Sequence, residues 1–111
     1  MLIGTKQKFD FFKNDYPEYS SFDFSWLLKF FNNFPICMMN FKIKAGKNNS
    51  LLICWDSEEY SCILKVNLIE KTGYYSEYNL KKDDKFSMAN LDLSLEKSWI
   101  NIVEKICTKV F

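Results

Sequence analysis

The middle of the chain alternates between apolar and polar residues with a period of two, and this pattern constrains the fold most. A period of two places successive side chains on opposite faces of a β-strand. Short clusters rich in Gly, Asn, Ser and acidic residues separate the segments and favour turns between antiparallel neighbours. The sequence therefore predicts a meander of four to five strands, over residues 36–45, 50–56, 60–68, 74–80 and 86–91, of which 50–56 is apolar on both faces instead of alternating. In the first strand, the expected core side is Cys37, Met39, Phe41, Ile43 and Ala45.

An aromatic stripe before the first strand predicts an amphipathic helix. The stripe recurs every four residues, at Phe22, Trp26, Phe30 and Phe34. Residues 20–23 read Ser-Ser-Phe-Asp, which resembles a capping box and would start the helix. Pro35 disfavours helical geometry at the residue before it, so we expect the helix to end near residues 32–33.

Residues 1–19 interleave charged residues with five aromatic side chains around Pro17. This many rings are hard to leave in water. We expect the segment to form an irregular arm or one short helix, and to dock on the core rather than trail in solvent.

The last segment carries a second amphipathic pattern, with apolar residues at the spacing of one helix face. The apolar positions are Leu95, Trp99, Ile102, Val103, Ile106 and Val110. Asp92 or Ser94 is available as its N-cap, and lysines near the C-terminus suit the helix dipole. The order of helix, strands and helix predicts a single α+β domain over residues 1–111, with both helices covering one face of the sheet.

The residue types exclude most familiar catalytic sites. The chain has no histidine, and all fifteen basic residues are lysines, which removes histidine triads, histidine metal ligands and arginine fingers. Three glycines cannot form the known phosphate-binding loops. The cysteines Cys37, Cys54, Cys62 and Cys107 contain no C-x-x-C pair, and we expect them to be small buried hydrophobes. We therefore expect a protein without enzymatic activity, catalytic residues, metal or cofactor.

An acidic, tyrosine-bearing centre is the remaining candidate for function. The net charge is +1, but residues 51–80 carry five acids and two lysines. Tyrosines ringed by carboxylates are suited to binding a basic protein partner, although they also line ordinary half-exposed sheets. Tyr75 and Glu77 lie on one face of the predicted strand and Tyr74 lies on the other, so only one of the two faces can line the core. The predicted partner-binding residues are Asp56, Glu58, Glu59, Tyr60, Glu70, Tyr75 and Glu77.

Several segments together resemble immunity proteins of bacterial contact-dependent growth-inhibition systems. They are Ser-Trp-Leu at residues 25–27, the 49–55 strand, the acidic turn after it, Val-Asn-Leu-Ile-Glu at 66–70 and a tryptophan in the closing helix. The resemblance covers roughly residues 25–106. It implies a bacterial cytoplasmic protein, a monomer alone, that forms a heterodimer with a cognate toxin domain, commonly a nuclease, and occludes its active site. No membrane or nucleic-acid contact is implied.

The residues themselves also predict a cytoplasmic location, because no apolar run is long enough for a signal peptide or a bilayer span. Two other classes remain open. A polypeptide-binding, chaperone-like module of a secretion system also combines helices with a sheet, although such chaperones tend to be acidic homodimers. A small nucleic-acid-binding domain is suggested by Lys42, Lys44 and Lys47 on one hairpin, while the lack of arginine and the near-zero net charge count against it.

Overall fold

The computed structural model describes residues 4–109 and shows one antiparallel sheet with three helices. The helices are α1 (Thr5–Asp15), α2 (Ser25–Phe31) and α3 (Glu96–Lys109), and the strands are β1 (Lys42–Ala45), β2 (Ser50–Asp56), β3 (Tyr60–Asn67), β4 (Thr72–Asn79) and β5 (Asp84–Asp92). Two 3-10 turns, Pro17–Tyr19 and Ile36–Met38, follow α1 and α2. The strands pair in sequence order, each antiparallel to the next. This confirms the predicted α+β meander.

One hydrophobic core lies between the helices and the inner face of the sheet. The sheet contributes alternate residues, including Leu51, Ile53, Trp55, Leu64 and Val66, and the helices contribute Phe9, Leu27, Phe31, Trp99 and Ile102. Phe31 is at its centre, with its ring centroid 5.1 Å from that of Phe41 and 5.5 Å from that of Trp99. Because residues of all three helices pack on this one side, the other face of the sheet stays uncovered.

The segment before α2 is part of this core rather than a loose tail. Phe9 and Phe12 of α1 and Tyr19 of the following turn are buried. The Tyr19 hydroxyl donates to the Ser50 carbonyl at 2.7 Å, and the Lys8 ammonium donates to the Met39 carbonyl at 2.6 Å. These bonds fix the segment to the edge of the sheet at β1.

The first strand is shorter than the sequence predicts. Residues 36–38 form a 3-10 turn, and β1 begins only at Lys42. The expected core side is reversed here, because Met38 is buried and Cys37 is exposed. The Met38 carbonyl accepts a hydrogen bond from the buried Trp55 indole at 2.9 Å, a contact that holds the turn against the core and that no local pattern encodes.

Helix α2 also departs from prediction, because it spans only Ser25–Phe31 and no capping box forms at residues 20–23. Instead the Asp23 carboxylate accepts the Ser25 backbone N–H at 2.9 Å. The fully buried side chains are Leu27 and Phe31, whereas Trp26 and Phe30 of the expected stripe are half-buried. Leu28 is half-buried as well, and only Ser25 and Lys29 are exposed, so a single stripe does not identify the buried face of this short helix.

The closing helix has the predicted buried face. Trp99, Ile102 and Ile106 are buried, and the Trp99 indole donates to the Leu93 carbonyl at 2.7 Å. Leu95 precedes the helix and is exposed. Neither predicted cap residue adjoins its first residue, Glu96, and the Asp92 carboxylate accepts the Ser94 N–H at 3.1 Å. Val110 lies outside the described residues.

Candidate functional site

The structure separates the predicted partner-binding residues into three places. Asp56, Glu58, Glu59 and Tyr60 lie together at the turn between β2 and β3. Glu70 lies in the turn after β3, at the opposite end of the sheet, roughly 25 Å away along an eight-residue strand. Tyr75 and Glu77 lie on the inner face and are buried. They therefore do not form the single surface that the sequence suggests, and Tyr75 is inaccessible to a partner in this conformation.

The turn between β4 and β5 adds further residues to the first of these places. The chain carries five acids and three lysines over residues 56–60 and 80–85. The acidic end is defined here by five carboxylates: Asp56, Glu58, Glu59, Asp83 and Asp84. Sequence reasoning missed Asp83 and Asp84 for this site because they are more than twenty residues from the other three and are flanked by lysines. The strand order that brings the two turns together supplies the missing signal.

The first turn of the acidic end is held by hydrogen bonds within the chain. The Ser57 hydroxyl accepts the backbone N–H groups of Glu59 and Tyr60, at 3.3 and 3.1 Å. The Glu59 carbonyl accepts the N–H of Leu80 at 2.8 Å, which joins this turn to the turn between β4 and β5. The backbone that carries Glu58 and Glu59 is thus fixed by the chain itself.

The second turn is held in a similar way. The Asn79 side-chain carbonyl accepts the N–H groups of Lys81 and Lys82, both at 3.0 Å. The Tyr78 hydroxyl hydrogen-bonds the Asp83 carboxylate. Tyr78 is 37% exposed, so it brings an aromatic surface to the acidic end.

The outer face of the sheet beside this end is uncovered and carries lysines. It exposes Lys42, Lys44, Lys65 and Lys85 along with Tyr74 and Tyr78. Ser61 bridges the two regions, because it donates to the Asp56 carboxylate at 3.0 Å and pairs with Tyr78 across β3 and β4. The protein therefore presents an acidic end next to a basic sheet face.

The inner face contains a buried polar chain of Cys62, Tyr75 and Glu77. The Tyr75 hydroxyl donates to a Glu77 carboxylate oxygen at 2.8 Å. Burial, followed by the Cys62 thiol beside it, raises the pKa of Tyr75 far above its usual value. Burial also raises the pKa of Cys62 to about 11, although the Tyr75 hydroxyl acts in the opposite direction. Both groups keep their protons at neutral pH, so neither is an activated nucleophile.

Glu77 also borders a cavity of about 290 Å³ that opens between the sheet and the end of α3. Two lysines of α3 lie over aromatic rings there. The Lys105 ammonium is 4.4 Å from the Phe86 ring centroid, and that of Lys109 is 5.9 Å from the Tyr60 ring centroid. These contacts are cation–π interactions that hold the end of α3 on the sheet.

The described part of the chain contains no cluster of three or more Cys, Asp or Glu side chains arranged to hold a metal ion. Within residues 4–109, no helix has the length and apolar character needed to span a membrane.

Fold and site together define a small α+β protein with a preformed acidic end, an uncovered sheet face and buried, protonated thiol and phenol groups. No protein-family model, curated protein or solved structure matches this chain. The function is therefore argued from the geometry described above.

Proposed function

We propose that this protein is a cytoplasmic immunity protein that binds a cognate toxin domain, most simply a nuclease, and neutralises it by occluding its active site. It acts by stoichiometric binding and needs no catalytic step, metal or cofactor. The resemblance over residues 25–106 suggests the class, and the acidic end supplies the contact surface. In this proposal the protein is a monomer alone and a heterodimer with its toxin.

The preformed acidic end is the observation that carries the proposal. Nuclease sites must attract phosphate groups and are therefore basic, so a set of carboxylates is complementary to them. A surface fixed before binding loses less conformational freedom on association than a mobile loop does. Tyr78 adds the kind of aromatic side chain that is enriched in protein interfaces.

The proposed contact residues differ from those suggested by the sequence. Asp56, Glu58, Glu59 and Tyr60 are retained, and Tyr78, Asp83 and Asp84 are added because they share the same end. The proposal leaves out Glu70 because it lies at the opposite end of the sheet. It leaves out Tyr75 and Glu77 because both are buried.

The test uses the C-terminal domain of the protein encoded immediately upstream, because toxin and immunity genes are adjacent in such systems. We expect the two purified proteins to form a one-to-one complex and the toxin activity to be lost. Replacement of Glu58 and Glu59 by lysine should weaken the complex at least tenfold, which corresponds to about 1.4 kcal/mol. Co-elution with this domain that is unaffected by the double replacement would exclude the acidic end as the interface.

The matched control reverses a charge at the other end of the sheet. Glu58→Lys and Glu70→Lys each change the net charge by the same amount, and both residues are exposed. We expect only the first to weaken the complex. Equal losses would indicate a general charge effect rather than a defined contact surface.

The uncovered sheet face favours nucleic-acid binding as a second candidate function. Lys42, Lys44 and Lys65 lie on that face, and the exposed Tyr74 could stack on a base. Titration with a fluorescent single-stranded RNA oligonucleotide distinguishes the two. Salt-sensitive binding that Tyr74→Ala abolishes and Glu58→Lys does not would support this function instead.

A further inference from the structure

Two cysteines far apart in the sequence meet at the surface, where α3 passes the 3-10 turn Ile36–Met38. The sulfur atoms of Cys37 and Cys107 are 3.7 Å apart, although the residues are separated by 70 positions. Cys37 is exposed and Cys107 is half-buried, whereas Cys54 and Cys62 are buried in the sheet. The expectation that all four cysteines are buried is therefore wrong for this pair.

The two sulfur atoms are neighbours because both backbones are anchored, not because two mobile ends happen to touch. The residue after Cys37 is Met38, which is fully buried and whose carbonyl accepts the Trp55 indole N–H at 2.9 Å. The residue before Cys107 is Ile106, which is fully buried in the core. A disulfide has an S–S distance of about 2.0 Å, so the sulfurs need to approach by about 1.7 Å to form a bond.

We propose that Cys37 and Cys107 form an oxidation site, at which a peroxide converts the two thiols into an intramolecular disulfide. The bond would tie the end of α3 to the turn between α2 and β1. This inference does not rest on the proposed function, since it depends only on the positions of the two sulfurs.

The reaction proceeds in two balanced steps. The Cys37 thiolate attacks one oxygen of hydrogen peroxide and breaks the O–O bond, which leaves a sulfenic acid on Cys37 and releases one water once a proton is taken up. The Cys107 sulfur then loses its proton, attacks the Cys37 sulfur and displaces the hydroxyl group as a second water. The two thiols give up two electrons and two protons, and the peroxide is reduced to water.

The environments of the two sulfurs set their order of reaction. Cys37 is open to a dissolved peroxide. Burial, and to a smaller extent the adjacent Cys37, raises the pKa of Cys107 to about 11, which keeps this thiol protonated and slow towards peroxide. Cys37 is thus the attacking residue and Cys107 the resolving one. Cys54 and Cys62 are screened by burial.

The experiment exposes the purified full-length chain to limiting hydrogen peroxide, unfolds it and alkylates the remaining thiols with N-ethylmaleimide. We expect two of the four thiols to be protected, the chain to remain monomeric on a non-reducing gel, and dithiothreitol to restore all four. Peptide mapping should identify Cys37 joined to Cys107, and this readout needs no variant. The melting temperature should rise by about 5 °C or more, because the bond closes a long loop in the unfolded chain.

Cys37→Ser and Cys107→Ser should each abolish the protection and the thermal shift, whereas Cys54→Ser, the matched removal of a buried thiol, should retain both. Three results would overturn the inference: four alkylated thiols after peroxide treatment, a covalent dimer through Cys37, or over-oxidation of Cys37 without a bond to Cys107. An oxidised monomer that contains the mapped bond but melts at the temperature of the reduced chain would overturn the proposed tethering of α3.

Discussion

At the level of single residues, the burial of β4 determines which of its tyrosines are accessible from solvent. The strand reads Thr-Gly-Tyr-Tyr-Ser-Glu-Tyr-Asn, so both faces carry tyrosine and a polar residue, and alternation alone does not identify the core face. Packing decides it, because the fully buried Leu93 lies over Gly73 and places Gly73 and Tyr75 inside. Tyr75 can be buried because its hydroxyl donates a hydrogen bond to the Glu77 carboxylate. A residue pattern cannot anticipate a pairing of this kind.

Removal of the Tyr75 hydroxyl tests this buried pairing. Tyr75→Phe leaves the ring in place but deprives the buried Glu77 carboxylate of a donor, so we expect a loss of about 1–3 kcal/mol in the free energy of unfolding. Tyr78→Phe is the matched control, since it removes the exposed hydrogen bond to Asp83 and should change stability by less than about 0.5 kcal/mol. Urea denaturation of both variants measures the difference, and equal stabilities would contradict the role given to Glu77.

The raised pKa of Cys62 predicts how stability responds to alkaline pH. The thiol ionises near pH 9.0 in the unfolded chain and near pH 11 in the folded one. Between these values the unfolded state binds fewer protons than the native state, so stability falls as pH rises from about 9 to about 11 and is unaffected by this group below pH 9. Cys62→Ala should show a shallower decline in urea midpoint over this interval, whatever its stability at pH 7. An unchanged slope would show that Cys62 does not titrate with folding.

At the level of whole elements, regular sequence patterns predicted the strands correctly, whereas irregular turns were not predicted. Strands β2, β3 and β4 agree with the predicted segments to within two residues at each end. β3 and β4 alternate in burial, as half-buried strands do, whereas β2 is an apolar run that is buried on both faces. β5 spans Asp84–Asp92 and so extends beyond the predicted 86–91, and a bulge at Ala89 and Asn90 interrupts its alternation. The 3-10 turn Ile36–Met38 resembled a strand in sequence but depends on a hydrogen bond from the distant Trp55. A residue pattern within residues 36–45 cannot anticipate this long-range contact.

The packing of β4 against the segment before α3 gives a prediction for Gly73. A Cβ atom at this position would lie 2.7 Å from the Leu93 side chain, which is fully buried and has little room to move. We expect Gly73→Ala to lower the free energy of unfolding by about 1–3 kcal/mol. In a Leu93→Ala background the same substitution should cost much less, and a double-mutant cycle by urea denaturation measures that coupling. Strictly additive effects would place the strain elsewhere.

The distribution of charge over the whole molecule is asymmetric in a way that the net charge of +1 conceals. Every helix contributes residues to the inner side of the sheet, so the outer face and the two ends remain available for contacts. The outer face carries lysines, and one end carries the five carboxylates together with Lys81 and Lys82. The other end carries Glu70 and Lys71 with Lys47 and Asp92. Strand order and turn placement create this separation, whereas the composition of residues 51–80 only suggested an acidic region.

For the proposed complex with a toxin domain, this asymmetry predicts how the association rate depends on salt. Exposed charges act over about one Debye length, which shrinks from about 30 Å at 0.01 M salt to about 10 Å at 0.1 M, so steering by the acidic end weakens as salt is added. The association rate constant, measured by stopped flow, should fall at least tenfold between these concentrations while the dissociation rate changes little.

The Glu58→Lys and Glu59→Lys double variant should associate more slowly and with a flatter salt dependence. Glu70→Lys should change the slope by much less than half as much as the double variant, which alters twice the charge, because Glu70 lies roughly 25 Å from the acidic end, beyond a Debye length at 0.1 M salt. Parallel slopes for all three proteins would mean that the carboxylates at residues 56–59 do not guide the encounter.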